Sequence, residues 1–517
     1  MGIVQRQSAW NAVSGYIGVL LGALNALVLF PLAFPNPENM GGIRWLISAS
    51  LLLGAVAHLG WPQTLVTFLP KIPPRAHREA MRFGLILSAF ILGSLALFIA
   101  TPLGKSMFVY LSGGGERAEL AFLLPMAIAY VGFEMFAARL IHAQQVILPY
   151  WLKDSGRKGW LSLLLLIRMG GYFTEQVPFL TALLLGYVLQ ALWIWIRCGQ
   201  LDKGKAPQDL SLDATWPRNA MLEYSGVMLL TVAAQMAFGQ LDILMVGAWL
   251  GLTAVAHYSI AFNFGIVVAM PMKAMNASLR PIIAKLVATE AWEEVRALGE
   301  RSLQAQWLAS GWIFLITLAV SPWAFHMLPS SYQGGLGAVV WVAAAQLVNV
   351  STGPSGLVLV ASKSFRWELY ANVVLISFAL LIGGLWIPGH GVTGAAQVIF
   401  TAMVAYNGVK LFALHRLTGH FWLGKGFVKG LLWLAVGVLL HFGFWALLLG
   451  WAGPTMDAFG IAQPGMPVME RPWGNQLLYA GAEVGLHSVW AWMGMYLFGL
   501  APDLRSFIQK IFHRMKS

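Results

Sequence analysis

Between Leu222 and Val246 an apolar run carries one carboxylate near its end, Asp242, set in Gln240-Leu241-Asp242-Ile243, with Glu223 as its only other charged residue. The run is long enough to cross a hydrocarbon core of about 30 Å, where a charge is costly unless it meets water or a partner. Two roles fit Asp242. As a cavity carboxylate it would take up a proton or a sodium ion, or meet a cation. As a helix-end residue it would hydrogen-bond a neighbouring span and fix packing. Arg168 and Glu134, in the fifth and fourth apolar segments, pose a related problem. An arginine facing lipid at that depth costs about 3 kcal/mol, so it should face a cavity or a carboxylate such as Glu134. Glu483 and His487 are four apart and share a helix face, with His441 in the preceding segment. They could relay a proton or form a packing network. Asn25, Gln235, Gln240, Asn263, Gln346, Asn349, Gln397 and Asn407 add uncharged polar groups, which suit a hydrated interior or interhelical hydrogen bonds.

The elements that carry these residues follow from composition. Of 517 residues, 58% are hydrophobic and 10% charged, against roughly 25% charged in soluble domains. Such a chain cannot cover a water-facing globule, and an integral membrane protein is expected. Apolar segments of spanning length run 10–34, 45–68, 83–101, 120–138, 160–174 and 178–196, then 222–246, 254–275, 307–327, 337–360, 369–387 and 392–413. Two more, 431–451 and 476–500, make fourteen. The fifth is short, and the stretch before it, Val146 to Lys153, reads as an interfacial amphipathic helix. With the amino terminus inside, nearly all of the 33 Lys and Arg fall in cytoplasmic loops, leaving Arg44, Lys105, Arg117 and Arg471 outside and Arg168 within a span. The net charge of +12 therefore reads as topology and attraction to anionic lipid, not nucleic-acid binding. Several of the 23 Trp residues (Trp10, Trp45, Trp61, Trp160, Trp307, Trp451, Trp473) fall at expected membrane interfaces, where aromatic belts form.

The layout suggests a six-span half (1–197), a cytoplasmic connection (198–221), a second six-span half (222–416), and two extra helices with a cytoplasmic tail (417–517). Parallel halves with a substrate site at their interface are a known transporter plan. Pro271 and Pro281 bracket the inner end of the eighth span, where proline would kink the helix. The single cysteine, Cys198, excludes an internal disulfide, and no Cys/His metal spacing is present, so no metal site is expected. Walker A, dinucleotide-turn, HExxH and nucleophile-elbow motifs are absent, so no cofactor is expected and ATP-driven transport by this chain alone is not either. Short outer loops with few His, Asp and Glu argue against an enzyme.

The pattern Gln240-Leu-Asp242, Met245-Val-Gly247, Leu250-Gly251 and His257-Tyr258-Ser259-Ile260-Ala261 resembles the start of the second half of oligosaccharide (O-antigen, Wzx-like) flippases. These are the polysaccharide-transport branch of the multidrug/oligosaccharidyl-lipid/polysaccharide exporter (MOP) superfamily. Met1-Gly-Ile-Val-Gln-Arg6-Gln-Ser, leading into a Gly-spaced segment and Pro31, is similar to that family's amino terminus. One departure is Ala256-His257-Tyr258, where the family has Gly before the Tyr.

The resemblance implies an all-α polytopic membrane protein of about fourteen transmembrane helices. Two six-helix halves would form a pseudo-two-fold V, with two additional C-terminal helices. It implies a flippase that moves a polyprenyl-linked oligosaccharide across the cytoplasmic membrane by alternating access, with both termini cytoplasmic. The partners implied are membrane lipid, the lipid-linked glycan, and a glycan polymerase with its export machinery; a monomer is expected. Cavity arginines offer charge-assisted bonds to phosphate, making Arg168, Lys273, Arg280, Arg44 and Arg139 the substrate candidates. Asp242 and Glu134 are the candidates for H+ or Na+ coupling, and Asn25, Gln240 and Asn263 for a polar cavity. The alternative is a cation-coupled antiporter of the multidrug and toxin extrusion (MATE) type, which would line its cavity with acids and aromatics.

Overall fold

The computed structural model describes residues 3–73, 76–114, 118–201, 216–362, 364, 366–419, 425–449 and 473–497, and no strand occurs among them. Its helices are α1 (Ile3–Leu24), α2 (Phe30–Ala33), α3 (Pro37–Ala57), α4 (Trp61–Phe68), α5 (Ala76–Ala100), α6 (Pro102–Leu111) and α7 (Ala118–His142). There follow α8 (Ile147–Trp151), α9 (Arg157–Met169), α10 (Gln176–Gln200), α11 (Arg218–Leu250), α12 (Leu252–Ile266), α13 (Met270–Ala288) and α14 (Trp292–Met327). The chain continues with α15 (Leu336–Val350), α16 (Ser355–Ala361), α17 (Arg366–Thr418), α18 (Lys425–Leu449) and α19 (Trp473–Leu497). Lipid offers no hydrogen bonds to backbone, so apolar runs of this length satisfy their own amides as helices.

Ten helical stretches among the described residues are long and apolar enough to span a membrane, and the protein is an all-α polytopic membrane protein. The other expected spans fall on α8–α9, on α11, on α19, and on α17, whose 53 residues hold the eleventh and twelfth spans. A bend at Gly391 (φ 59°), three residues after Pro388, separates that pair. The expected outer loop 452–475 and the carboxyl tail lie almost wholly outside the described residues, as does most of the connection 198–221.

Two span boundaries differ from expectation in ways that relocate charge. The second span begins at Pro37, not near Trp45: Asn36 caps the helix by accepting from the Glu38 N–H (3.0 Å), and Pro37 supplies a first residue with its dihedral preset. Arg44 therefore sits inside a span, not in a loop. The same segment ends at Ala57, where Leu59 (φ 52°) and Gly60 (φ 68°) turn the chain into α4. Gly60 takes that conformation without a Cβ penalty. The second difference concerns the fifth span. α8, a π-turn at Leu152–Gly156 and α9 run on without interruption from Ile147 to Met169. Lys153, Asp154, Arg157 and Lys158 thus belong to the same continuous helix as the fifth span and not to a loop.

Helix contacts divide the chain into two compact units, Met1–Ser259 and Ile260–Ser517. In the first, α3 packs on α7 and α11, and α10 on α7, while α1 lies against the 152–156 turn. Close approach needs small residues: a Cβ on Gly41 would meet the Leu252 carbonyl at 1.8 Å, and one on Gly42 would meet Glu119 Oε1 at 2.0 Å. α11, expected to open the second six-span half, packs on α3 and α4 within the first unit. In the second unit α14 carries α13, α15, α18 and α19, and α15 packs on α17.

Three of the tryptophans expected at interfaces are core residues instead. Trp45, Trp61 and Trp307 are buried, Trp61 donating to the Ala80 carbonyl (3.0 Å) and Trp307 lying in the core shared by α14, α15 and α18. Only Trp61 finds an acceptor for its N–H among the described residues; Trp45 and Trp307 are buried for the apolar area of their rings. Trp10 is exposed, as a belt residue should be.

Candidate functional site

The polar interior of the first unit is built on α3, α7, the 152–156 turn, α9, α10 and α11. Its centre is Glu134, two-thirds of the way along α7, whose Oε1 lies 2.8 Å from Lys153 Nζ. Tyr130, one turn earlier, hydrogen-bonds the same carboxylate, and Arg157 and His58 interact with it electrostatically. The guanidinium of Arg157 is held among three rings, 4.6 Å from the centroid of Phe133, 5.2 Å from Tyr130 and 5.4 Å from Tyr187. Stacking of this kind fixes a flexible side chain at little cost, because a guanidinium is weakly hydrated and planar.

From Tyr187 the network continues to Arg44, which interacts with both Tyr187 and Asp242. Asp242 is buried; its Oδ2 accepts from the Tyr258 hydroxyl (2.8 Å) and its Oδ1 from the Ile243 N–H (2.9 Å). Helices far apart in sequence thus bring two arginines, a lysine and two carboxylates into one connected set. Among the described residues, the Nε–H groups of Arg44 and Arg157 are buried without a hydrogen-bond acceptor. A buried charged donor left unmade costs more than about 1–3 kcal/mol, so both are poised to take an acceptor.

Beside Glu134 and Lys153 opens a cavity of about 460 Å³, with Gln63, Thr67, Tyr150 and Tyr224 among its walls. Its size lies within the usual range for small-molecule sites, roughly 300–1,000 Å³.

No family model and no curated protein matches this chain. Its structure is similar to that of the lipid II flippase MurJ in an inward closed conformation, with a TM-score of 0.68 at 11% identity over 92% of this chain and 97% of that one. The likeness is one of fold. The structure is also similar to an inward-facing MATE family multidrug resistance transporter of the MOP superfamily, with a TM-score of 0.50 at 14% identity over 77% of this chain and 95% of that one. A third similar structure is a point mutant of the MATE transporter VcmN from Vibrio cholerae, with a TM-score of 0.50 at 13% identity over 81% of this chain and 98% of that one.

Within this fold the residues singled out by sequence separate. Asp242, Glu134 and Arg44 join the network. Arg168 does not, and its expected partner Glu134 is paired with Lys153 instead. The Arg168 guanidinium stacks over Phe34 (4.0 Å) and donates to the carbonyls of Ala33 (3.0 Å), Phe173, Thr174 (3.0 Å) and Glu175 (3.5 Å). It holds the turn after α9 against the end of the first span. Arg168→Ala should therefore lower the melting temperature of the purified protein, through a stability loss on the order of 2–3 kcal/mol, while transport per folded molecule is unchanged. A variant that melts like the parent but transports nothing would return Arg168 to the binding site.

Asn25 is buried at a π-turn in the first span, donating to the Lys158 carbonyl (2.9 Å) and accepting from Ser162 (2.7 Å). It is an interhelical tie. Gln240 is half-buried two residues before Asp242. Arg139 donates to His77 Nδ1 (3.0 Å), leaving His77 Nε2 to donate to the Leu69 carbonyl (2.9 Å). In the second unit Lys273 and Arg280 stand exposed on α13, and Asn263 is half-buried on α12. Lys410, assigned by charge counting to a loop, is buried 4.9 Å from the Tyr406 ring, whose hydroxyl donates to Glu368 Oε1 (2.7 Å).

Sequence reading passed over Lys153, Arg157, Tyr130, Tyr187 and His58. One signal was present. The fifth span was short, and extending it backwards through its flanking basic residues would have drawn Lys153 and Arg157 into the membrane.

Proposed function

We propose that the chain is a flippase for a lipid-linked oligosaccharide, moving the glycan and its polyprenyl pyrophosphate from the inner to the outer leaflet of a bacterial cytoplasmic membrane by alternating access. The observation that carries this reading is the pair of half-buried arginines, Arg44 and Arg157, each with a buried Nε–H lacking an acceptor among the described residues. Planar, permanently charged donors match phosphate oxygens bidentately. Lys153 adds a third cation, and the cavity beside it accommodates the first polar part of the cargo. Similarity to a flippase of lipid II, so named, favours a lipid-linked cargo. In this reading the polyprenyl tail stays in lipid, both termini are cytoplasmic, and the protein acts as a monomer beside a glycan polymerase and its export machinery. It performs no covalent chemistry.

Asp242 supports a second reading. A buried carboxylate bonded to Tyr258 and near Arg44 would suit a cation-coupled antiporter of the MATE type, and proton or sodium coupling is compatible with either cargo. The deciding experiment is leaflet accessibility of the lipid-linked precursor in cells depleted of this protein. The flippase reading expects surface glycan to vanish while precursor accumulates on the cytoplasmic side. Normal crossing of the precursor, with retention of cationic dyes, would replace it with the antiporter.

A further inference from the structure

The helices α18 and α19 are pinned to each other at two levels. At the first, Trp433 Nε1–H donates to the Trp490 carbonyl (3.0 Å) and Trp490 Nε1–H to the Trp433 carbonyl (2.9 Å). Gly437 and Gly494 leave room for the two indoles, since a Cβ at either would lie within 3.0 Å of an indole nitrogen. About two turns away, His441 of α18 meets Glu483 and His487 of α19, and all three side chains are fully buried.

Their arrangement is that of a donor set. His441 Nδ1 lies against Glu483 Oε1, His487 Nε2 is 3.9 Å from the same oxygen, and the three ligand atoms lie within 4.8 Å of one another. Among the described residues neither ring nitrogen of His487 has a hydrogen-bond partner. An imidazole buried in that state forfeits its hydration with nothing in exchange. A carboxylate in the middle of a spanning helix likewise needs a compensating charge.

We infer that His441, Glu483 and His487 bind a zinc ion that staples α18 to α19. Two histidines and one glutamate are an established zinc set, with bonds of about 2.0–2.2 Å, that completes its tetrahedron with a water in the fourth position. Atoms all that far from one centre stand at most ~4 Å apart, so small side-chain rotations bring these three onto a common point. Glu483 and His487 use the i, i+4 spacing that puts two ligands on one helix face. The ion offsets the carboxylate and gives His487 the partner it lacks. The three residues are legible together in the sequence, but the metal role is not, because motif spacing along the chain does not register a third ligand from a different helix.

The test uses the full chain purified in detergent. Stoichiometric zinc should co-purify, a chelator should lower the melting temperature, and added zinc should restore it. Cobalt added to the chelated protein should produce visible d–d absorption. His487→Gln should lose both the zinc and the cobalt bands while melting like the chelated parent. Absence of retained zinc and of cobalt bands in the parent would overturn the inference and leave a proton shared between His441 and Glu483. If His487→Gln does not fold, the chelator response and cobalt spectrum of the parent decide alone.

Discussion

Arg157→Ala, in a chain that still reaches the membrane at normal level, is expected to reduce surface glycan severely and to accumulate lipid-linked precursor on the cytoplasmic side. The reason is geometric. Arg157 is held by Tyr130, Phe133 and Tyr187, so its donors are oriented before cargo arrives, and its Nε–H has no acceptor among the described residues. A hydrogen bond to a charged group contributes about 1.5–3 kcal/mol, which at about 1.4 kcal/mol per decade is a loss of roughly ten- to a hundredfold in head-group affinity. Arg157→Lys should rescue poorly, since an ammonium keeps the charge but loses the fork and the stacking. Arg44→Ala should lower export by a similar factor. The double variant should fall below either single one, because Arg44 and Arg157 are both electrostatically coupled to Tyr187. Export is read as surface glycan per molecule of membrane-localised protein. Full export by Arg157→Ala would remove the phosphate role and with it the principal support for the flippase reading.

Asp242→Asn is the second large effect expected: transport abolished with protein level normal. The substitution keeps shape and most hydrogen bonding, because an amide oxygen still accepts from Tyr258 or from the Ile243 N–H. What it removes is the charge that faces Arg44 and the capacity to bind a proton or a sodium ion. Tyr258→Phe deletes one hydrogen bond, worth about 1 kcal/mol, and should reduce transport only several-fold. The order of the two variants discriminates. If Asp242→Asn transports normally, the carboxylate is a packing residue, as its hydrogen bonds to Tyr258 and its own helix would allow. If both variants fail equally and melt early, the pair is structural.

Asp242 illustrates what could be read in advance. A carboxylate near the end of an apolar run whose other charge, Glu223, lies at the opposite end has few places to go, so its burial and its need for a partner followed from solvation alone. The partners did not: Tyr258 is the nearest in sequence, but Arg44 was placed in an outer loop because its helix starts at an Asn36 cap and Pro37 that hydropathy does not weigh. Arg168 differs from expectation in its partner for the converse reason. An arginine within an apolar segment signals a buried charge, yet four backbone carbonyls at a helix end satisfy it as well as a carboxylate would. Lys153 and Arg157 were lost because charge counting assigns basic residues flanking a short span to a loop.

By itself the sequence determined the class of the protein: a chain 58% hydrophobic and 10% charged must fold in lipid, lipid requires helices, and helix length sets how many spans the apolar runs make. It also determined that any charge inside them must be compensated. Which charges compensate which was decided only by tertiary structure. Hydropathy is a sum over neighbours in the chain, whereas the Glu134–Lys153–Arg157 cluster, the Arg44–Asp242 pair and the His441–Glu483–His487 set are made across helices that meet only when the bundle packs.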